Sequence, residues 1–252
     1  MAARRGTGST GGARRPAASA RGVAKKPGRP AGAGAGAGAG RKPTRKAEPP
    51  AADSQPTGPL RLGAIPGATP GKWIDTWKQR MPRNDLELTP LDVATQRAAL
   101  TTGEVDAAIV RLPIDRDGLH VISLYDEVPV VVCAADSHLT AAEELTEADL
   151  VGEVVITPLD DVLGATVAGA EEPRFAAPAT TADAIATAAT GVGVVIVPMS
   201  LARLHHRKDV DYRPLVGGPA STVAFAWPAE GASDLVDVFI GIVRGRTANS
   251  SR

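Results

Sequence analysis

From Leu60 onward, short apolar runs alternate with segments whose apolar residues recur at helical spacing. The predicted elements of this region, in chain order, are strands at 60–65, 86–89 and 103–111 and helices at 72–81 and about 93–101. A strand, a loop and a helix in repeated order predict a parallel sheet. Ligands of such sheets bind beyond the carboxyl ends of the strands, so the predicted functional loops are Gly67–Gly71 and Arg111–Pro113.

The same alternation continues through the rest of the chain. Thr180 and Thr181 are typical of a helix start, and Asp92 and Ser200 are predicted to cap two further helices. The further predicted strands are at 119–124, 128–134, 154–158, 193–198 and 222–227, and residues 210–215 lead out of the second unit. The further predicted helices are at 139–149, 182–190, 200–204 and 233–244. Aromatic residues make up 3% of the chain, so the predicted core consists mainly of Val, Ala, Leu and Ile.

Two features of the first predicted sheet favour binding of an anion. Thr69 before Pro70 is typical of a helix start, and the helix would direct the free N–H groups near Gly67, Ala68 and Thr69 to the sheet edge. Arg111 ends a strand predicted to lie beside the first, so its guanidinium would converge with them on one carboxylate. The alternative is that Arg111 is an ordinary solvated or ion-paired residue. Since neither Thr69 nor Arg111 belongs to the predicted core, alanine at either position is expected to leave folding intact.

Charge divides the chain into two parts. Residues 1–59 contain 12 Lys or Arg against two acidic residues, whereas residues 60–252 contain 16 basic and 26 acidic residues. The first part has almost no large apolar side chains, and its Ala-Gly tract at 31–40 is typical of a flexible spacer. We therefore predict a disordered basic arm that binds a polyanion, joined to an acidic folded region.

The arm contains a short segment, Lys25-Lys26-Pro27-Gly28-Arg29-Pro30, that resembles an AT-hook. Proline keeps such a segment extended, glycine allows close approach to the floor of the minor groove, and arginine enters the negative potential of a narrow groove. The match is partial, because Pro27 stands where the AT-hook has its first core arginine. The alternative is a solvated basic tail that keeps the protein soluble.

The single cysteine and the lack of long apolar segments indicate where the protein is located. Cys133, the one cysteine, lies in an apolar strand, which predicts a buried unreactive thiol and a cytoplasmic location. The sequence lacks an apolar stretch of about 18 residues, and Arg4-Arg5 precede no apolar run, so export is not expected.

Paired-carboxylate, Gly-x-Ser-x-Gly and phosphate-loop motifs are absent, so the sequence predicts no enzyme and no cofactor. His205 and His206 are adjacent and are interpreted as surface residues rather than metal ligands.

Six landmarks in order resemble the effector-binding domain of LysR-type transcriptional regulators. They are Leu60-Arg-Leu-Gly-Ala-Ile-Pro66, Leu100-x-x-Gly-Glu-Val-Asp106-Ala-Ala-Ile, Leu112-Pro113 with Gly118-Leu119, Ser137-His138-Leu139, Gly191-Val-Gly193-Val-Val-Ile-Val-Pro198 and the strand of Trp227. The resemblance implies an α/β fold like that of type 2 periplasmic binding proteins, with two lobes, two crossing strands and a ligand cleft.

The resemblance also implies boundaries and a ligand site. Lobe one would comprise residues 60–127 and 220–245, and lobe two would comprise residues 128–219. The last residues, 246–252, are expected to form a frayed tail. Thr157 and Pro158 would close over the ligand from the second lobe. The domain would sense a small effector, with an anion or carboxylate expected, and would form a homodimer.

The resemblance does not extend to the N-terminal part. The family begins with a winged helix-turn-helix, whereas residues 1–59 hold the basic arm, so any DNA binding would depend on charge and groove shape. Two alternatives stay open: a DNA- or nucleoid-associated protein whose domain serves dimerisation, and an enzyme of the same fold.

Overall fold

The computed structural model describes residues 58–245. Its elements are β1 Leu60–Ala64, α1 Gly71–Arg80, β2 Leu86–Pro90, α2 Gln96–Thr101, β3 Ala107–Arg111, β4 Leu119–Glu127, β5 Pro129–Ala134, α3 Thr181–Ala188, β6 Val195–Pro198, α4 Met199–Leu204, β7 Val210–Pro214, β8 Ser221–Pro228 and α5 Asp234–Val243. Two 3-10 turns, His138–Ala141 and Glu147–Leu150, lie between β5 and α3. The predicted arm, apart from its last two residues, and the predicted tail at 246–252 lie outside the described residues.

The first lobe is built on a five-stranded sheet in the order β2-β1-β3-β8-β4. Strand β1 runs parallel to β2 and β3, as the strand and helix alternation predicts. Strand β8 lies between β3 and β4 and is antiparallel to both. The sheet is therefore mixed, and a strand from the far end of the chain occupies a central position in it.

Strand β3 is buried along its whole length because both faces of the sheet are covered. On one face Ile109 belongs to the same apolar cluster as Trp77 of α1 and Phe239 of α5. On the other face Val110 belongs to a cluster that contains Leu100 of α2. Because both faces are covered, the carboxyl end of β3 lies in the protein interior.

The second lobe is built on a three-stranded sheet in the order β6-β5-β7, in which β5 is antiparallel to both neighbours. Val130 and Val132 of β5 join a cluster with Ile185 of α3. Val131 and Cys133 join a second cluster on the opposite face. Because β5 is buried on both faces, its sequence is an uninterrupted apolar run rather than an alternation.

The chain crosses between the lobes twice, after Glu127 at the end of β4 and between Pro214 of β7 and Ser221 of β8. Glu127 and Ser221 are paired in neighbouring strands, so the two crossings lie side by side. The predicted two-lobed fold with two crossing strands is confirmed, while the exact lobe boundaries stay a prediction.

Two predicted elements of the second lobe are wrong. Residues 139–149 form no long helix, because Leu145 pairs with Leu215 in a bridge that needs extended backbone. Residues 154–158 form isolated bridges rather than a strand, through Val154 with Glu171 and through Val155 with Val194. Pro158 at the end of the segment has no N–H to donate to a strand ladder.

The predicted caps need correction as well. Helix α1 has Pro70 rather than Thr69 as its N-cap residue and carries no side-chain cap bond. Asp92 accepts the Thr95 N–H through its main-chain oxygen, and α2 begins only at Gln96. Ser200 lies inside α4 rather than before it. By contrast, the Thr180 hydroxyl accepts the N–H of Asp183 and caps α3, as predicted.

Gly193 is expected to tolerate no side chain. A Cβ atom there would lie 2.4 Å from the main-chain oxygen of Val154, because the two backbones approach closely where Val154 and Val194 bond. We expect Gly193→Ala to lower the free energy of unfolding by about 1–3 kcal/mol, the usual range for overpacking. Urea denaturation of the purified protein measures this.

Gly241 in α5 provides the matched control, since a Cβ atom there would meet nothing within 4 Å. Alanine has a higher helix propensity than glycine, so Gly241→Ala should leave the free energy of unfolding unchanged or raise it by up to about 1 kcal/mol. Equal effects of the two substitutions would contradict the close backbone approach at Gly193.

Candidate functional site

A cavity of about 780 Å³ lies between the two lobes. The first lobe contributes Pro66, the turn at 92–94 before α2, and Arg111. The second lobe contributes residues 159–162, the start of α3 and the end of α4. Apolar side chains therefore share the wall with carboxylates, one arginine and backbone groups from both lobes.

Arg111 ends β3 and is 1% exposed. Its Nη1 donates to Oε2 of Glu127 at 2.7 Å and to the hydroxyl of Ser221. The hydroxyl of Ser200, from α4 of the second lobe, donates to the same Glu127 oxygen at 3.0 Å. A buried ion pair thus joins three strands of the first lobe to the second lobe at the point where the chain crosses.

The main chain of Arg111 is also fixed. Its N–H donates to Oε1 of Gln96 at 2.8 Å, and Nε2 of Gln96 donates to the Arg111 carbonyl at 2.9 Å. Gln96 is buried at the start of α2. The arginine side chain therefore projects from a backbone that cannot shift without breaking two hydrogen bonds.

Two nitrogen atoms of Arg111 have no partner among residues 58–245. They are Nε and Nη2, and both are buried. These atoms direct their N–H groups along one edge of the planar guanidinium, which is the fork that a carboxylate meets with both oxygens. Glu127 and Ser221 occupy Nη1 and leave this edge free.

Carboxylates dominate the other ionisable groups on the cavity wall. Asp161 accepts the N–H groups of Leu163 and Gly164 at 3.1 and 2.8 Å, so it holds its own turn. Asp160 accepts the hydroxyl of Thr181 at 2.9 Å through Oδ1. Asp92 faces the cavity from the first lobe. The wall carries these three carboxylates, besides Arg111 and one histidine side chain.

The predicted loop Gly67, Ala68 and Thr69 lines a different cavity of about 570 Å³, whose wall includes Glu127. Arg111 lines the first cavity and this loop lines the second, and the two cavities share Leu204. Convergence of the loop and Arg111 on one ligand stays a prediction. Gly67 contacts the second lobe: a Cβ atom there would lie 2.4 Å from the Ser200 hydroxyl oxygen, and its φ of 83° favours glycine.

Thr157 and Pro158 border a pocket of about 10 Å³, far smaller than a ligand. Sequence reasoning also missed the residues that surround Arg111. Glu127, Gln96 and Ser221 carry no local motif, and the one available signal was a carboxylate at the end of an apolar strand. Ligand contact by the predicted site residues stays a prediction.

The Cys133 thiol is buried in β5, and this burial raises its pKa. Its sulfur lies 3.9 Å from the main-chain oxygen of Asp211. Within residues 58–245, no cluster of three or more His, Cys, Asp or Glu side chains could hold a metal ion. No helix of that region is long and apolar enough to cross a membrane.

Comparison with known proteins places this two-lobed domain in a family. Residues 53–248 match the family described as the LysR substrate binding domain. The chain belongs to that family, which confirms the resemblance seen in the sequence. Domains of this class sense effectors in proteins that regulate transcription.

Two curated relatives are transcriptional regulators. The Hca operon transcriptional activator HcaR of Escherichia coli (strain K12) is 26% identical over 204 residues, which cover 75% of this chain and 68% of HcaR. The HTH-type regulator CatR of Pseudomonas putida is 30% identical over 145 residues, or 54% of this chain and 50% of CatR. The chain thus spans about half to two thirds of the length of these regulators.

Two solved structures share the fold. The BenM effector binding domain with its effector benzoate superposes with a TM-score of 0.62 at 20% identity, covering 75% of this chain and 91% of that domain. Oxidised OxyR superposes with a TM-score of 0.60 at 24% identity, covering 75% and 93%. At these identities the likeness supports the fold alone.

Proposed function

We propose that this protein senses a small carboxylate that binds in the cavity between the lobes, with the carboxylate on the Nε–Nη2 edge of Arg111. The free buried edge of that guanidinium is the observation that carries the proposal. A buried donor without a partner costs about 1–3 kcal/mol, so a ligand oxygen that reaches it recovers free energy. The volume of about 780 Å³ lies within the range of about 300–1,000 Å³ typical of small-molecule sites.

Entry of the ligand requires movement of the lobes. Arg111 is 1% exposed, so a ligand can reach its free edge only after neighbouring groups move, and withdrawal of the second lobe is the movement that we propose. The adjacent crossings after Glu127 and before Ser221 are the segments that would bend. Ligand binding then shifts the population toward a closed form whose cavity is filled, and this shift is the signal.

We infer binding rather than catalysis, because the matched relatives are transcriptional regulators. The same proposal includes a homodimer located in the cytoplasm. The location follows because a transcriptional regulator acts in the compartment that contains DNA. Sedimentation of the purified protein tests the dimer.

The proposal is tested by thermal denaturation of the full chain with a set of small carboxylates, each paired with its neutral amide. Carboxylates that bind should raise the melting temperature, and their amides should raise it much less, because an amide cannot pair its two heteroatoms with two N–H donors. Equal stabilisation by both members of every pair would contradict a carboxylate on Arg111.

For the basic arm we propose electrostatic binding of DNA through Lys25, Lys26, Gly28, Arg29 and Pro30, all of which lie outside the described residues. The excess of basic side chains in residues 1–59 supports this second function. The logarithm of the binding constant should fall with the logarithm of salt concentration by about 0.9 for each phosphate contact. Fluorescence anisotropy with A·T-rich and G·C-rich duplexes measures both the slope and the preference. Equal affinity for the two duplexes would remove the AT-hook interpretation.

A further inference from the structure

We infer that the effector is zwitterionic: besides the carboxylate that meets Arg111, it carries an ammonium group that Asp92 and Asp160 hold. This inference rests on the proposed function, because it concerns the other groups of the same ligand. It is based on the charge of the cavity wall and on the two carboxylates whose oxygens have bonding capacity left.

The charge on the wall is unfavourable for a simple anion. The one arginine that lines the cavity is already neutralised by Glu127 at 2.7 Å. Asp92, Asp160 and Asp161 add three carboxylates, and His205 adds at most one positive charge. A ligand with only negative charge would gain the free edge of Arg111 and meet repulsion from the rest of the wall.

The three carboxylates are not equivalent. Both oxygens of Asp161 accept main-chain N–H groups, so this side chain is engaged within its own turn. Oδ1 of Asp160 accepts a hydrogen bond from the Thr181 hydroxyl, and its Oδ2 accepts no hydrogen bond from the described residues. The side chain of Asp92 likewise has no hydrogen bond within residues 58–245. Two acceptors are therefore available to a ligand, and they are Asp92 and Asp160.

These two acceptors belong to different lobes. Asp92 precedes α2 in the first lobe, and Asp160 precedes α3 in the second lobe. An ammonium group offers three N–H donors and can be shared between two carboxylates. A cationic group on the ligand would thus connect the lobes when they close.

The acidic side chains alone would not identify a ligand site. The independent observation is that Arg111, which lines the same cavity, has a buried Nε–Nη2 edge without an acceptor among residues 58–245. Arg111 and the two carboxylates therefore line one space that also contains the apolar side chains of Val162 and Leu201. An apolar body with a carboxylate and an ammonium group matches all three features.

The test uses the full chain and five matched probes. They are 4-methylbenzoate with the carboxylate alone, 4-methylbenzylamine with the ammonium alone, terephthalate with two carboxylates, and two zwitterions, 4-(aminomethyl)benzoate and phenylalanine. The zwitterions place the ammonium far from the carboxylate or next to it. Calorimetric titration should find at least one zwitterion bound about tenfold or more tighter than 4-methylbenzoate, and terephthalate bound more weakly than 4-methylbenzoate.

Substitutions identify the groups responsible. Asp92→Asn and Asp160→Asn should each weaken the preferred zwitterion about tenfold and leave 4-methylbenzoate unchanged or slightly tighter. Asp75→Asn, an exposed carboxylate on α1, is the matched control and should change neither.

The outcomes separate this inference from the proposed function. If 4-methylbenzoate or terephthalate binds at least as tightly as both zwitterions, the inference is overturned while the carboxylate site stands. If 4-methylbenzylamine equals the zwitterions, the carboxylate contributes nothing, and the proposed function fails together with the inference. Failure of all five probes at millimolar concentration would likewise overturn both.

Discussion

Replacing Arg111 with alanine is expected to lower the free energy of unfolding by about 3–5 kcal/mol, because the substitution leaves Glu127 buried without its partner. Both side chains are almost fully buried, at 1% and 7% exposure, and their closest atoms are 2.7 Å apart. Ser200 would still donate to Glu127, so the carboxylate retains one of its polar contacts. Urea denaturation followed by circular dichroism measures the change, and an unchanged slope with denaturant would show that the folded state stays compact.

A double variant distinguishes loss of the ion pair from loss of packing. In Arg111→Met with Glu127→Leu, both charges are removed and the space is filled by apolar side chains of similar size. Such replacements are often neutral or stabilising, so most of the lost stability should return. If Arg111→Ala alone costs less than about 1 kcal/mol, the pair is not the buried link between strands that the structure shows.

Replacing Arg111 with lysine is expected to weaken binding of a carboxylate about tenfold to a hundredfold while the domain remains folded. Lysine keeps a positive charge near Glu127 but lacks the planar fork of Nε and Nη2. A hydrogen bond to a charged group contributes about 1.5–3 kcal/mol, which sets this range. Calorimetric titration with the tightest carboxylate from the thermal screen gives both dissociation constants.

Arg213→Lys is the control for this measurement. The Arg213 guanidinium is likewise held by hydrogen bonds, which it donates to the main-chain oxygens of Thr140 and Ala142, but Arg213 lies on β7 and does not line the cavity. Its substitution should leave ligand affinity unchanged. Identical affinity of the wild type and the Arg111→Lys variant would remove Arg111 from the ligand site.

The parts of the fold that follow from local pattern were predictable from the sequence. The alternation of apolar runs and helical spacing predicts the parallel arrangement of β1, β2 and β3, and it predicts Arg111 at the carboxyl end of a buried strand. The adjacent residues Thr180 and Thr181 likewise predicted the start of α3. Local sequence signals were sufficient to predict the structure wherever the interacting groups are neighbours in the chain.

The environment of Arg111 could not be predicted in this way. Its partner Glu127 is 16 residues away and Ser221 is 110 residues away, and both reach it only because β8 inserts beside β3. The sequence places Arg111 outside the core and expects alanine there to leave folding intact, whereas its burial in an ion pair indicates the opposite. Leu145 shows the same limit, since its distant pairing with Leu215 overrides the helical spacing around it.

The central position of β8 has a consequence for how the chain folds as it is synthesised. All three strands of the second sheet are complete by Pro214, whereas the first sheet lacks β8, the strand between β3 and β4, until Pro228 has emerged. Until then the edges of β3 and β4 that pair with β8 are open, and such edges pair readily with other chains. The nascent protein is thus most prone to aggregate in the interval when the second lobe can already fold and the first cannot. A synonymous change that slows translation near residues 215–228 would prolong that interval.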